Sequence, residues 1–403
     1  MASRQTNNEQ VNIVYVARDI ERALGKTPEG NYHIITNKTP YAEEVKLKYP
    51  MHVLLVDSPE ILDTYELLMN PEVQEIITNF NAQVLVFKNT IHIEQLCAEK
   101  GWTLLNPSAE LSEKIENKIT QVKWLGELSS LLPPHKVQFV NEIKWNKNAF
   151  ILQWAHGHTG EGTILISNEK ELDVLKAKFP HREARVTDFI KGPMFTVNIV
   201  VTDTVILLGN ISYQITGILP FTENALSTIG NDWSVTHTIL NESHINQFNE
   251  LAEKVAQKMQ SSGWRGLFGI DVIYDEERDN LHLIEINARQ PASTTYESEL
   301  QDHVNMLGVP GVNTFEAHLA ALLHSPVKTA LIPINDGAQI LQRVTSKVNK
   351  VDSKKISKAG YNVINYANEK MNADLARIQS RQGIMEAHNK FNKRGKEILE
   401  LVG

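Results

Sequence analysis

The sequence predicts a multidomain protein of mixed α/β and α+β class, with a doubly wound N-terminal domain, two α+β lobes and a small C-terminal unit. Three observations carry this prediction. A length of 403 residues exceeds what one hydrophobic core usually serves. Roughly the first hundred residues alternate β-rich and helix-like runs, as a mostly parallel sheet with crossover helices requires. Beyond Pro134 the texture changes to paired strands with polar turns. The expected boundaries are 1–106, 107–184, 185–324 and 325–403.

In the first domain VNIVYVA (11–17), YHIIT (32–36), HVLLVD (52–57) and QVLVFK (83–88) read as buried strands, and Ile61–Met69 and Ile91–Lys100 have helical spacing. The first strand is followed by ARDIERALGK, which lacks the G-x-G-x-x-G loop of a dinucleotide site. Asn106-Pro107 is a helix start, and Leu111, Ile115, Ile119, Val122 and Leu125 form one apolar stripe ended by Pro133-Pro134. Strands at Val137–Ile143, Ala149–Trp154 and Thr163–Ile166 follow. A second lobe from about Ala184 to Leu323 holds strands at Arg185–Ile190, Phe195–Val201, Val205–Ser212, Gly266–Tyr274 and Leu281–Asn287. Its helices carry Phe248, Leu251, Val255 and Met259, then Phe315, Leu319 and Leu322. The C-terminal unit has strands near Gln339–Val344 and Asn362–Tyr366 and a last helix displaying Ile384, Phe391 and Ile398.

Composition narrows the function. Hydrophobic content of 42% and charged content of 22% suit a folded globular chain, and the net charge of −8 argues against nucleic acid as main partner. Cys97 is the only cysteine, so a reducing cytoplasm is expected and a packing role assigned to it. The N-terminus, MASRQTNNEQ, has no signal-peptide core, and Phe195 to Gly209, broken by Asn198 and Asp203, falls short of a membrane span. The oligomeric state is left open, a homodimer being allowed.

The chemistry concentrates in Gly266-Leu-Phe-Gly-Ile-Asp271-Val-Ile-Tyr and Leu281-His-Leu-Ile-Glu285-Ile-Asn287-Ala-Arg289, read as antiparallel strands joined by DEERDN. Glu285 and Asn287 lie two apart and share a sheet face. With Asp271 they offer hard oxygen donors suited to magnesium, which takes one or two carboxylates plus phosphate oxygens. The bland alternative is a solvated acidic face. Upstream, Trp154-Ala-His156-Gly157-His158-Thr-Gly160-Glu-Gly162-Thr163 sets three glycines between two strands, where backbone N–H groups can cradle an anion. Asp188-Phe189-Ile190 reads as a strand running into a Gly192-Pro193 turn.

With these elements in this order, the sequence resembles the ATP-grasp superfamily. The resemblance implies a Rossmann-like domain, two lobes that clamp ATP and a small C-terminal subdomain. Asp271, Glu285 and Asn287 would hold two magnesium ions, with manganese as a substitute, and Arg289 would be the catalytic arginine facing the transferred phosphoryl group. Lys118, in Glu116-Asn117-Lys118, resembles the family's phosphate-binding lysine. Gly157, Gly160, Gly162 and Thr163, with His156 and His158, match the glycine loop over the phosphates. Asp188, Phe189 and Ile190 match the strand contacting adenine.

Two positions depart from the family. Gln153 stands where a lysine is usual, with His156, His158, Lys144 or Lys147 as partial replacements, and Gly192-Pro193-Met194 replaces a Gly-x-Glu. The resemblance further implies a ligase: a carboxylate attacks the γ-phosphate of ATP, and an amine, or less often a thiol, displaces phosphate from the acyl phosphate. The substrate carboxylate is expected near Ser293, Thr294 and Arg289, while Arg343 and Arg377 reach the site or form surface salt bridges. The alternatives are a carboxylase-like enzyme activating bicarbonate and an ATP-binding regulatory or scaffold protein without turnover.

Overall fold

The computed structural model describes residues 11–155, 162–366 and 368–403. The chain divides into two compact units that meet in sequence at Ala109 and Glu110. The first is built on a four-stranded parallel sheet, β1 (Ile13–Ala17), β2 (Tyr32–Asn37), β3 (Val53–Val56) and β4 (Gln83–Val86), in the order β3-β2-β1-β4. Val14, Val16, Val84 and Val86 point one way from it, and Leu67, Ile77, Leu96 and Cys97 close over them. The helices are α1 (Pro40–Lys48), α2 (Thr64–Met69), α3 (Pro71–Asn79) and α4 (Ile91–Lys100). The helix expected from Ile61 starts only at Thr64, because Asp63 and Glu66 form a reciprocal capping box there. Cys97 is buried in this core, as expected for a packing residue.

The second unit opens with α5 (Ala109–Glu116) and α6 (Thr120–Leu125). The apolar stripe from Leu111 to Leu125 reads as one helix, but Asn117 breaks it: its Oδ1 accepts from the Ile119 and Thr120 amides at 3.0 and 3.3 Å. The amide of Lys118 donates instead to the Ala155 carbonyl at 3.1 Å.

A four-stranded antiparallel sheet follows, with β5 (His135–Phe139), β6 (Phe150–Gln153), β7 (Thr163–Ile166), α7 (Glu169–Lys178) and β8 (Glu183–Asp188), in the order β5-β8-β6-β7. The strand at Arg185–Ile190, expected in the second lobe, belongs to this sheet: Arg185 pairs with Gln153 on one side and Val137 on the other. Val140, Leu152, Ile166, Leu172 and Ala184 make its core.

The large sheet has nine strands, β9 (Met194–Val201), β10 (Ile206–Leu208), β11 (Ser212–Thr216), β12 (Thr228–Asp232), β13 (Gly266–Asp275), β14 (Asn280–Asn287), β15 (Ala338–Arg343), β16 (Asn362–Asn365) and β17 (Asp374–Ser380). Their order is β14-β13-β9-β11-β12-β15-β17-β16, with β10 beside β9, and all pairs are antiparallel. The C-terminal strands therefore extend this sheet. Its helices are α8 (Thr236–Ile239), α9 (Glu242–Ser261), α10 (Thr294–Met306), α11 (Thr314–Leu322), α12 (Ser353–Lys358) and α13 (Lys393–Val402).

The two faces of the large sheet differ. Phe195, Val197, Phe268, Ile270 and Val272 join Phe248, Leu251, Val255 and Met259 of α9 in the main core. The alternate residues Thr196, Asn198, Asp271 and, two strands on, Ser212 and Gln214 point the other way. At the C-terminus, Ile384 and Phe391 do not share a helix with Ile398. Met385–Ala387 and Lys390–Phe391 form a hairpin, β18 and β19, turned by Asn389 at φ +55°, and only then does Asn392 cap α13. Among the described residues no helix is long and apolar enough to cross a membrane.

Candidate functional site

Asp271 and Glu285 face each other as direct cross-strand partners on β13 and β14, and Asn287 pairs with Gly269 one step along. The sheet face they share is set by a β-bulge. Leu281 and Leu283 point into the main core, so strict alternation would turn Glu285 and Asn287 inward with them. The register instead shifts, Asp271 pairing with Glu285 and Val272 with Leu283, which leaves Ile284 as the extra residue. After it Ile286 returns to the core, while Glu285 and Asn287 come out beside Asp271. The bulge was not foreseen, although it delivers the shared face that was expected.

Asp271 accepts from Gln214 Nε2 at 2.6 Å and from Asn287 Nδ2 at 3.3 Å. Burial, and next the Glu285 charge, push its carboxyl up to about 6. Glu285 shifts the opposite way: burial raises it, but Lys118, then Arg289 and Arg185, outweigh burial and hold it below the ordinary glutamate value. Lys118 forms an ion pair with Glu285, its side chain 9% exposed. Burial draws its ammonium below the usual lysine value, and Glu285 opposes that shift. The break between α5 and α6 is what lets Lys118 project this way instead of lying on a helix surface.

Arg289 pairs with Glu116. Burial works against its charge, but Glu116 and then Glu285 more than offset this, so the guanidinium sits above its usual value. Arg185 is the residue that sequence reasoning missed. It is 1% exposed, and its guanidinium donates to Gln153 Oε1 at 2.9 Å, Gln121 Oε1 at 2.9 Å and the Ile284 carbonyl at 3.1 Å. Burial lowers it to about 10, partly countered by Glu285. A charged residue on a strand between apolar neighbours carried no signal of its own, and its pairing with Gln153 emerges only in the folded sheet.

Gln153 is buried at the end of β6, within 3.5 Å of Thr163 Oγ1, and the Trp154 amide donates to the Gly162 carbonyl at 2.9 Å. His156, Gly157, His158 and Gly160 lie outside the described residues. Lys144 and Lys147, suggested as substitutes for the missing lysine, are exposed. Asp188 ends β8 with its amide on the Pro134 carbonyl at 3.0 Å; Phe189 is 40% exposed and Ile190 buried. Gly192 has a packing reason: a Cβ there would stand 1.9 Å from the Tyr274 carbonyl oxygen.

Ser293 and Thr294 begin α10, a helix the sequence did not announce, and both are buried. Asn198 Nδ2 donates to Ser293 Oγ at 3.1 Å and also bonds Glu297, a fully buried carboxylate that receives the Asn210 amide at 3.0 Å. The segment lies close over β13, since a Cβ on Gly269 would stand 2.7 Å from Pro291 Cγ. Arg343 and Arg377 are buried on β15 and β17, which excludes surface salt bridging; Arg377 Nε donates to the Tyr366 hydroxyl at 3.0 Å.

Two carboxylates and an amide oxygen are hard donors, and among the described residues no group of three or more His, Cys, Asp and Glu forms a cation cage. By the chemistry of their donors, Asp271, Glu285 and Asn287 would suit a magnesium ion, which usually takes few protein carboxylates.

Residues 115–293 match the family described as ATP-grasp domain. No curated protein matches the sequence. Among solved structures, N5-carboxyaminoimidazole synthetase from Staphylococcus aureus complexed with ADP superposes with a TM-score of 0.66 at 12% identity, over 98% of this chain and 97% of that one. Carboxyaminoimidazole ribonucleotide synthase from Aspergillus clavatus complexed with ATP gives 0.64 at 13% identity, over 97% of each chain. The biotin carboxylase domain of Hydrogenobacter thermophilus 2-oxoglutarate carboxylase gives 0.61 at 14% identity, over 92% and 86%. With the acidic hairpin inside the matched segment and the fold shared along nearly its whole length, the chain carries an ATP-grasp domain at residues 115–293.

Proposed function

We propose that this protein is an ATP-dependent carboxylate–amine ligase working through an acyl phosphate. The observation that carries the reading is the convergence of Asp271, Glu285 and Asn287 on one sheet face with Lys118 and Arg289 paired beside them. Relatives of the same fold bind ADP and ATP, and one Aspergillus clavatus structure holds ADP with 5-aminoimidazole ribonucleotide, which supports a nucleotide and a second small molecule here.

Phosphoryl transfer needs positioning and charge neutralisation more than covalent help from the protein. Lys118 and Arg289 neutralise the phosphate oxygens and hold the γ-phosphoryl group in line with the incoming carboxylate, which we place near Arg289 and Ser293. Asp271, Glu285 and Asn287 would hold magnesium, whose charge shields the phosphate oxygens. The carboxylate oxygen attacks the γ-phosphorus, and the bond to the β-phosphate oxygen breaks to release ADP. The amine then attacks the acyl carbon, loses a proton and expels inorganic phosphate. Gly162, Thr163 and Gln153 line the loop side, Asp188 to Ile190 the adenine side. The division into two lobes stays part of this proposal, with the strand Glu183–Asp188 counted in the first lobe, beyond the expected boundary at 184.

A second reading takes bicarbonate as the activated carboxylate. The biotin carboxylase relative, solved with MgADP and bicarbonate, favours it. ADP release separates the readings: a screen of acids with amines, and of bicarbonate with amines, should yield one combination that turns over. Glu285→Gln should abolish that release with the fold intact. ADP release equal to that of the unaltered protein would sink the site assignment, and nucleotide-dependent thermal stabilisation without ADP in any mixture would mark a binding protein without turnover.

A further inference from the structure

Arg185 occupies a position that neither composition nor the proposed chemistry assigns. It stands on the small sheet, yet its Nη2 donates to the carbonyl of Ile284 on the large one. Ile284 is the extra residue of the bulge that turns Glu285 and Asn287 out of the core. A bulged residue leaves its backbone group outside the regular ladder, and a part-buried carbonyl so placed is satisfied by a side-chain donor. Arg185 supplies that donor, while Gln153 Oε1 and Gln121 Oε1 fix the plane of the guanidinium through Nε and Nη1. The three acceptors come from β6, α6 and β14, so one side chain ties both sheets and a helix together.

All three of these acceptors are neutral oxygens. Arginine cannot shed its proton, and burying its charge is costly unless the surroundings use it. Glu285, which feels the Arg185 charge, follows directly in sequence on the residue whose carbonyl Arg185 holds.

We infer that Arg185 is a positioning residue: by holding the Ile284 bulge it presents Glu285 and Asn287 for magnesium, and it brings to the phosphate side the positive charge that Gln153 does not carry. The inference rests on the Mg-ATP reading of this cluster. Arg185 touches the ligands only through the bulge.

The test reads the magnesium concentration at half-maximal stabilisation of the protein by ATP, from thermal melts at fixed nucleotide. Residues that orient metal ligands typically change metal affinity by about ten- to a hundredfold when lost. Arg185→Gln should raise the magnesium midpoint by about tenfold or more on this basis, and Arg185→Lys, which keeps the charge and one donor, should recover part of the shift. A purely structural role would lower the melting temperature of the metal-free protein and leave the midpoint in place. A midpoint for Arg185→Gln within about twofold of the unaltered protein therefore overturns the inference. Should Arg185→Gln fail to fold, Gln153→Leu removes one anchor of the guanidinium without touching the charge. A midpoint raised about threefold then supports the inference and an unmoved one overturns it. An unaltered protein that shows no magnesium-dependent binding of ATP sinks the ligase reading itself, a result distinct from any ranking of the variants.

Discussion

Replacing Lys118 with methionine removes one half of an ion pair while keeping a side chain of similar length. Taking one partner from a fully buried pair costs about 3–5 kcal/mol, chiefly because the other charge is stranded. Here the lysine side chain is 9% exposed but the glutamate 34%, so Glu285 keeps some water when its partner goes. Arg289 and Arg185 also continue to stabilise the glutamate charge. The expected loss is therefore about 2 kcal/mol, below the fully buried range. For a unit of this size that lowers the melting temperature of the ligand-free protein by about 3 °C. Differential scanning calorimetry near neutral pH, without divalent cations, reads it directly. The decisive comparison is the same substitution in a Glu285→Gln background. With no carboxylate left to strand, Lys118→Met should be neutral or stabilising, since it removes an unpaired buried ammonium. An equal loss in both backgrounds would show that packing of the lysine stem, rather than the pair, sets the cost, and the electrostatic account would fail.

Other substitutions test the scaffold. His318 is buried on α11 and accepts the Leu267 amide at its Nδ1, and burial pushes its imidazole down to about 3 from 6.5. A depressed value means that its contribution is complete above pH 6.5 and is lost as the pH falls towards 3, because only the unfolded chain takes up the proton. Between pH 6.5 and about 4.5 this amounts to about 2 kcal/mol, so urea titrations of His318→Gln should show a pH dependence flatter by that much, and an unchanged slope would refute the assignment. Asn117→Ala removes the oxygen that starts α6 and should cost about 1 kcal/mol in chemical denaturation. It should also weaken ATP binding, because Lys118 loses its fixed exit from the helix pair; unaltered binding would separate the helix break from the site. Gly269→Ala places a Cβ against Pro291 and should displace the segment leading to Ser293, lowering turnover more than nucleotide affinity; equal effects on both would contradict that placement.

The sequence and the structure part company where a local device overrides a periodic pattern. Strand and helix runs in the first unit were legible because each strand is a short apolar run, and β1 to β4 follow the expected segments closely. The long amphipathic α9 was legible for the same reason, with Phe248, Leu251, Val255 and Met259 on one face. The stripe from Leu111 to Leu125 misled because apolar spacing says nothing about Asn117, whose side chain competes for the backbone amides and splits the helix. The strand at Arg185 was assigned to the wrong sheet because antiparallel pairing is a tertiary choice that one strand's composition does not encode. The acidic hairpin was readable as a motif, yet its geometry depends on the Ile284 bulge, which alternation alone contradicts. Arg185 was invisible because a buried guanidinium has the same sequence appearance as an exposed one; only its three neutral acceptors reveal its role.

The charges of the cluster carry one more consequence. Lys118 is paired with Glu285 and Arg289 with Glu116, while the Asp271 carboxylate is held by two amides. Each group that the proposed chemistry needs is thus already occupied by another. A polyphosphate alone would have to draw Lys118 and Arg289 away from carboxylates and leave those carboxylates stranded, which is unfavourable in a site with little water. A bare cation would meet Glu285 with an ammonium already in place and Asp271 with its charge opposed by burial. Bound together, cation and phosphate cancel both costs: the carboxylates exchange an ammonium for a metal, and the freed ammonium and guanidinium exchange carboxylates for phosphate oxygens. The arrangement favours the metal–nucleotide complex over either component, so ATP with the divalent cation should stabilise the protein far more than the sum of the separate metal and nucleotide effects, and ATP with a chelator far less than ATP with the cation. Equal stabilisation by ATP with and without the divalent cation would show that the paired state is no barrier and that the exchange does not take place.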